Sequence, residues 1–132
     1  SLVINENNEL ISGSNDKTIK IWNMTTGEVK KTLTGHTREV LSLVLNENNE
    51  LISGSGDRTI KLWDMSSGEV KRTLTGHTDG VYSLEINRIN ELISGSRDKT
   101  IKIWNMTTGE VKRTLTGHTD GAYSLVINKD ND

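Results

Sequence analysis

Residues 51–65 read LISGSGDRTIKLWDM, and the phrase returns as LISGSNDKTIKIWNM from Leu10 and as LISGSRDKTIKIWNM from Leu92. Each copy has an apolar run, a Gly/Ser/Asp turn and an alternating run that ends in tryptophan. Trp22, Trp63 and Trp104 stand 41 residues apart, and His36, His77 and His118 keep the same interval. A fixed period of this size marks a repeat architecture, whose units cover their apolar faces only by stacking on one another. Three periods fill all but nine of the 132 residues, and those nine repeat the beginning. SLVINENNE at residues 1–9 returns as SLVINKDND at residues 124–132. The chain therefore starts and stops inside the same element, as a piece of a longer array would. Copies this alike point to recent duplication or deliberate design.

Each period reads as four short strands. VLSLVLN from Val40 is apolar on both parities, as expected for a strand covered on two faces. The Asn-rich NENNE follows as a turn, then residues 51–55 form the second strand, closed by Gly54, Ser55, Gly56 and Asp57. The third strand, residues 59–65, puts Ile60 and Leu62 on one face and Lys61 and Trp63 on the other. The fourth, residues 69–74, puts Val70, Arg72 and Leu74 on one face, and its Lys71 and Arg72 suit an outer edge. With turn signals at this spacing and no helical periodicity, the chain reads as all-β.

The totals restrict the function classes. Hydrophobic residues make up 32%, Phe, Pro and Cys are absent, and the net charge is −2 with both signs interspersed. No basic footprint for nucleic acid and no lysine-rich membrane face is present. No apolar run is long enough to span a bilayer, and the opening residues do not form a signal peptide. Without cysteine there are no disulfides or thiolate metal sites, which fits a reducing compartment, so the expected location is cytoplasmic.

At Gly76 and His77 in LTGHTDG, followed by SGSRD and IKIWN, the chain resembles the WD-repeat unit of β-propellers. Trp63 and Asp64 keep the family dipeptide, whereas Trp22 and Trp104 are followed by Asn23 and Asn105. The resemblance covers the whole chain and implies blades of four antiparallel strands at about residues 1–35, 36–76 and 77–117. It also implies a buried network in each blade: His36, Ser53, Asp57 and Trp63 in the second, His77, Ser94, Asp98 and Trp104 in the third. The physical basis is general, because a buried indole N–H needs an acceptor and Ser and His can relay to a carboxylate. The first blade has Ser12, Asp16 and Trp22 but no preceding histidine, and His118 has no following Ser, Asp or Trp.

Three blades make an arc whose two ends expose apolar faces that match the internal contacts, so the expected association is head-to-tail between copies of the chain. A dimer gives six blades and a trimer nine, at about 60° and about 40° per blade against about 51° for seven. Nine is favoured, because squeezing inner strands overpacks Tyr82 and Tyr123 whereas opening them widens a channel. Residues 1–5 and 121–128 are both candidates for the innermost strand of the first blade. The expectation is that residues 118–132 enter a neighbouring chain's first blade and displace residues 1–5.

For chemistry, the recurring Ser, His and Asp superficially match a hydrolase triad, but each Ser lies mid-strand in an apolar run and no pocket or oxyanion hole is indicated. The histidines lie one to a blade, too far apart to share a metal. No cofactor is implied: Gly54, Gly56 and Asp57 lack the third glycine and the helix of a dinucleotide site. Asn23 and Asn105 open Asn-x-Thr sequences that read as turns, and NKDND at the end lacks the rest of a calcium loop. What remains is a surface for other proteins. The resemblance places partner docking at the turn before Asp and the loop after His, which here means Asn15, Gly56 and Arg97 with Arg38, Glu39, Asp79 and Asp120. The reading is therefore a non-catalytic interaction scaffold, with a glycan- or ligand-binding propeller as the alternative.

Overall fold

In the computed structural model, which describes residues 1–128, twelve strands form three antiparallel sheets in chain order. The first holds β1 (Leu2–Ile4), β2 (Leu10–Gly13), β3 (Ile19–Trp22) and β4 (Val29–Leu33). The second holds β5 (Val40–Leu45), β6 (Leu51–Ser55), β7 (Ile60–Trp63) and β8 (Val70–Leu74). The third holds β9 (Val81–Ile86), β10 (Leu92–Ser96), β11 (Ile101–Asn105) and β12 (Glu110–Leu115). Every sheet is a simple meander, each strand pairing with its neighbours in sequence.

The Asn-rich turns work by side-chain hydrogen bonding. Asn46 Oδ1 accepts from the backbone N–H of Asn48 and Glu50, and its Nδ2 donates to Glu50 Oε1 at 2.7 Å. Asn49 then takes the left-handed conformation at φ 61°, which asparagine tolerates better than most residues. Asn5 and Asn87 build the same turn. Each turn is tied to the outermost strand of its own sheet by an ion pair: Glu9 with Lys30, Glu50 with Lys71 and Glu91 with Lys112.

One face assignment changes. Leu62 pairs with Arg72, but Trp63 pairs with Val70, so Lys71 is an extra residue in a β-bulge. A bulge reverses the alternation beyond it. Val70 therefore lies on the Trp63 face rather than with Arg72 and Leu74, and a Cβ added at Gly35 would meet both Trp63 and Val70. The same shift recurs at Trp22 and Trp104.

The core lies between sheets. Ile11, Ile19, Ile21 and Leu33 of the first sheet pack with Leu51, Trp63, Met65 and Val70 of the second. Ile52, Ile60, Leu62 and Leu74 of the second pack with Leu84, Leu92, Trp104 and Val111 of the third. Each sheet thus has an isoleucine-rich face and a tryptophan-bearing face, and unlike faces meet. Burying one such aliphatic side chain contributes about 1.5–3 kcal/mol.

Among the described residues, no sheet packs against the two outer faces. On the Trp22 side of the first sheet Leu2 is 69% and Ile4 56% exposed. On the isoleucine face of the third, Leu115 is 42% exposed where its counterparts Leu33 and Leu74 are 1%. Residues 116–128 form no strand. Within this chain, β1 holds the innermost position of the first sheet, the place also expected for residues 121–128 of a neighbour. Residues 129–132, the end of that expected 118–132 segment, lie outside the described residues.

Candidate interaction site and the buried network behind it

In the second sheet the four expected network residues meet. Trp63 Nε1–H donates to Ser53 Oγ at 2.8 Å, and Ser53 Oγ lies 2.7 Å from His36 Nε2. His36 Nδ1 lies 2.8 Å from Asp57 Oδ2. A neutral imidazole with its proton on Nδ1 satisfies every member: Nδ1–H donates to Asp57 and Ser53 Oγ–H donates to Nε2. His77, Ser94, Asp98 and Trp104 repeat the geometry in the third sheet. Burial holds both histidines below their ordinary 6.5, against the opposing pull of Asp57 and Asp98. Burial also opposes charge on the two carboxylates. Hydrogen bonds from Thr59 and His36, and from the backbone N–H groups of Thr37 and Thr59, outweigh it and bring Asp57 to about 2. Asp98 is likewise held at about 2 by Thr100, His77 and Thr78.

Thr59 and Thr100 are members that the sequence reading missed. Thr59 Oγ1 donates to Asp57 Oδ1 at 2.6 Å, and its backbone N–H donates to the same oxygen. The signal was present as Asp-x-Thr at Asp16, Asp57 and Asp98.

The first sheet holds only part of the network. Trp22 Nε1–H donates to Ser12 Oγ at 2.8 Å and Asp16 binds Thr18, but no imidazole stands between them. Trp22 and Ser12 are only half-buried, and Asp16 is exposed. His118 is exposed and hydrogen-bonds to none of the described residues.

This network is unsuited to nucleophilic catalysis. Ser53 is fully buried within β6, and its oxygen is shared between an indole and an imidazole. A triad serine must meet its substrate.

The residues expected for partner docking cluster along one end of the inner strands. Gly56 N–H donates to Glu39 O, and Arg97 N–H donates to Gly80 O. Arg38 pairs with Glu39 at 3.6 Å, and Arg97 pairs with Asp79 at 4.0 Å. A Cβ added at Gly80 would lie 3.4 Å from Gly56 Cα, so the loops of the second and third sheets are contiguous. Asn15 lies on the exposed loop beside Ser14, whose carbonyl accepts Val40 N–H. Asp120 accepts from Gly121 N–H at the far end. The clefts between successive sheets are lined mainly by Asn, Glu, Lys and Met side chains, and the Trp63 that borders one of them is itself buried and hydrogen-bonded to Ser53.

The model of the WD domain, G-beta repeat, matches residues 1–23, 27–64 and 68–105. The chain belongs to the WD-repeat family. In solved structures it is similar to the WD40 beta propeller domain of Doa1, with a TM-score of 0.88 and 33% identity over 95% of this chain and 42% of that one. Among curated proteins, one stretch is 50% identical to myosin heavy chain kinase C of Dictyostelium discoideum over 38 residues, 29% of this chain and 5% of that protein. Nuclear distribution protein PAC1 of Tuber melanosporum is 56% identical over 34 residues, 26% of this chain and 8% of its own length. Pre-mRNA-splicing factor PRP46 of Saccharomyces cerevisiae is 49% identical over 35 residues, again 26% and 8%. Each of these matches spans about one repeat, a small part of the relative. The WD-repeat unit at residues 27–64 takes in β4 of one sheet and β5 to β7 of the next, so the sequence repeat straddles two sheets.

Proposed function

We propose that this WD-repeat chain is a non-catalytic interaction scaffold that completes itself by head-to-tail association of copies and presents other proteins with the loop face around Glu39, Gly56, Asp79 and Arg97. The observation that carries the reading is the pair of unmatched outer faces. Ile93, Ile101, Ile103 and Leu115 repeat the residues that Ile11, Ile19, Ile21 and Leu33 bury inside the chain, and Trp22 with Val29 repeats Trp63 with Val70. The glycines carry the same message. A Cβ at Gly35 would lie 3.2 Å from Trp63, and one at Gly68 3.3 Å from Leu33, whereas Gly27 and Gly117 have nothing within 4 Å. The cysteine-free composition suits a cytoplasmic setting. The catalytic activity of the kinase relative is not carried over, since the match is confined to one repeat. Native mass spectrometry of the 132-residue chain tests the reading: the expected result is two or three times 14.7 kDa, and a stable monomer at micromolar concentration sinks it.

A further inference from the structure

Each sheet has a left-handed residue in every one of its three hairpin turns. The turns from β1 to β2, β5 to β6 and β9 to β10 use Asn8, Asn49 and Asn90 at φ 61°, 61° and 62°. Those from β3 to β4, β7 to β8 and β11 to β12 use Gly27, Gly68 and Gly109 at φ 78°. Glycine and asparagine take this conformation at least cost, glycine for want of a Cβ and asparagine through its short amide. The turns from β2 to β3, β6 to β7 and β10 to β11 instead use Lys17, Arg58 and Lys99, at φ 76°, 77° and 76°.

Nothing in the turn itself calls for a cation there. The three residues enter it through their backbone N–H groups, which donate to Ser14 O, Ser55 O and Ser96 O at 3.2 Å. All three are exposed, and their side chains form no hydrogen bond or ion pair among the described residues. The carboxylates beside them are engaged elsewhere. Asp16 accepts from Thr18, Asp57 from Thr59, Thr37 and His36, and Asp98 from Thr100, Thr78 and His77. In a meander the turns alternate between the two ends of the sheet. The cations therefore stand at the end that carries Glu39, Gly56, Asp79 and Arg97, and the asparagines and glycines stand at the other. Backbone strain that recurs without a structural return points to a use outside the fold.

Resting on the loop-face reading above, we propose that Lys17, Arg58 and Lys99 receive an acidic, extended segment of a partner protein that crosses successive sheets and sets one carboxylate on each cation. Spacing gives the pattern of that segment. Packed sheets stand about 10 Å apart. A chain in the polyproline II conformation presents the same side every third residue, about 9.3 Å further on. Asp or Glu at every third position thus steps from sheet to sheet in register. The same face carries Glu39 and Asp79, so it suits spaced carboxylates rather than the continuous charge of a nucleic acid.

The test is a fluorescent peptide of three Glu-Pro-Pro units, titrated by anisotropy at low salt against the whole chain, with a Gln-Pro-Pro peptide as control. The Glu peptide should bind, the Gln peptide should not, and added salt should weaken the complex. Arg58→Gly should weaken it about two- to five-fold, the span of one exposed ion pair, and should raise the midpoint of thermal unfolding by relieving the backbone. The Lys17→Gly/Arg58→Gly/Lys99→Gly chain should lose about tenfold or more, and Arg58→Lys should retain binding. Because the glycine variants are expected to be more stable, lost binding cannot be lost folding. Full binding by the triple variant, abolished by Arg38→Ala/Arg97→Ala, overturns this role for the three cations and leaves the loop-face reading standing. No binding of the Glu peptide, equal binding of the Gln peptide, or displacement by a single-stranded oligonucleotide at lower concentration overturns the acidic segment. Equal binding by every variant, Arg38→Ala/Arg97→Ala included, overturns the loop-face reading as well.

Discussion

A single tryptophan illustrates how residue-level chemistry sets the stability of a sheet. Trp63 is buried on the face that meets the neighbouring sheet, and its N–H is satisfied by Ser53. Trp63→Ala should destabilise the chain by about 3–5 kcal/mol in urea unfolding. Trp22→Ala should cost the free chain clearly less, since Trp22 is half-buried and has no imidazole below its serine. The network also predicts acid sensitivity with a definite sign. Unfolded histidines take up protons below 6.5 while His36 and His77, buried as neutral rings, resist, so stability falls as the pH drops through that value. Asp57 and Asp98 stay ionised down to about 2 in the folded chain but protonate near 3.8 when unfolded, so a second loss sets in below 3.8. Thermal unfolding from pH 8 to pH 3 should fall monotonically. A profile flat between pH 7 and 5 would contradict the neutral buried imidazoles.

At the scale of the element, two glycines with the same backbone make a controlled pair. Gly76 and Gly117 have φ of 152° and 153°, a region where any side chain is strained by about 1–3 kcal/mol. A Cβ at Gly76 would in addition stand 3.1 Å from Trp104, whereas Gly117 has open space. Gly76→Ala should therefore lower the midpoint of thermal unfolding of the monomeric chain more than Gly117→Ala does, and equal shifts would refute the packing argument. Strands were the most legible part of the sequence. The apolar runs placed β6 at Leu51–Ser55 because its residues are covered on both sides, whereas the strand expected at residues 59–65 is shorter, β7 ending at Trp63 where Asp64 opens the next turn. What periodicity could not reveal was the bulge at Lys71. Val70 is apolar and Arg72 has a long apolar stem, so either alternation satisfies the letters, and the slip is a matter of backbone hydrogen bonding. Thr59 escaped for a related reason: a β-branched residue opening a strand needs no further explanation until its hydroxyl is found on Asp57. The Asn-rich turns were legible as turns, but their ion pairs, such as Glu50 with Lys71, join residues 21 positions apart and depend on the meander being formed.

For the whole molecule, the stack of three sheets is internally repetitive, with two buried interfaces of closely similar composition, and the proposed association of copies would add a third. Trimeric closure at nine blades should give a native mass three times the 14.7 kDa of the chain, and dimeric closure at six blades twice that mass. On the head-to-tail proposal nine blades suit the chain better than six, because Tyr82 and Tyr123 already touch, so tightening the curvature would drive side chains of this size together, while opening it would widen the central space. The loop face belongs to this scale too. Its charged residues lie at one end of the inner strands, so closure would array the contiguous Glu39, Gly56, Asp79 and Arg97 patch once per chain around a single rim.

In the proposed head-to-tail assembly, the inequality of the two outer faces would make association directional. A chain damaged only at Ile101 or Leu115 still offers its Trp22 face, and so it joins a neighbour and then blocks the next addition. Such a chain would poison the proposed rings in place of merely failing to enter them. The surviving population of intact rings then falls as the fraction of sound chains raised to the number of copies in a ring. A repeat array that closed in this way would be exposed to mixed populations of its own variants, a dominant-negative hazard.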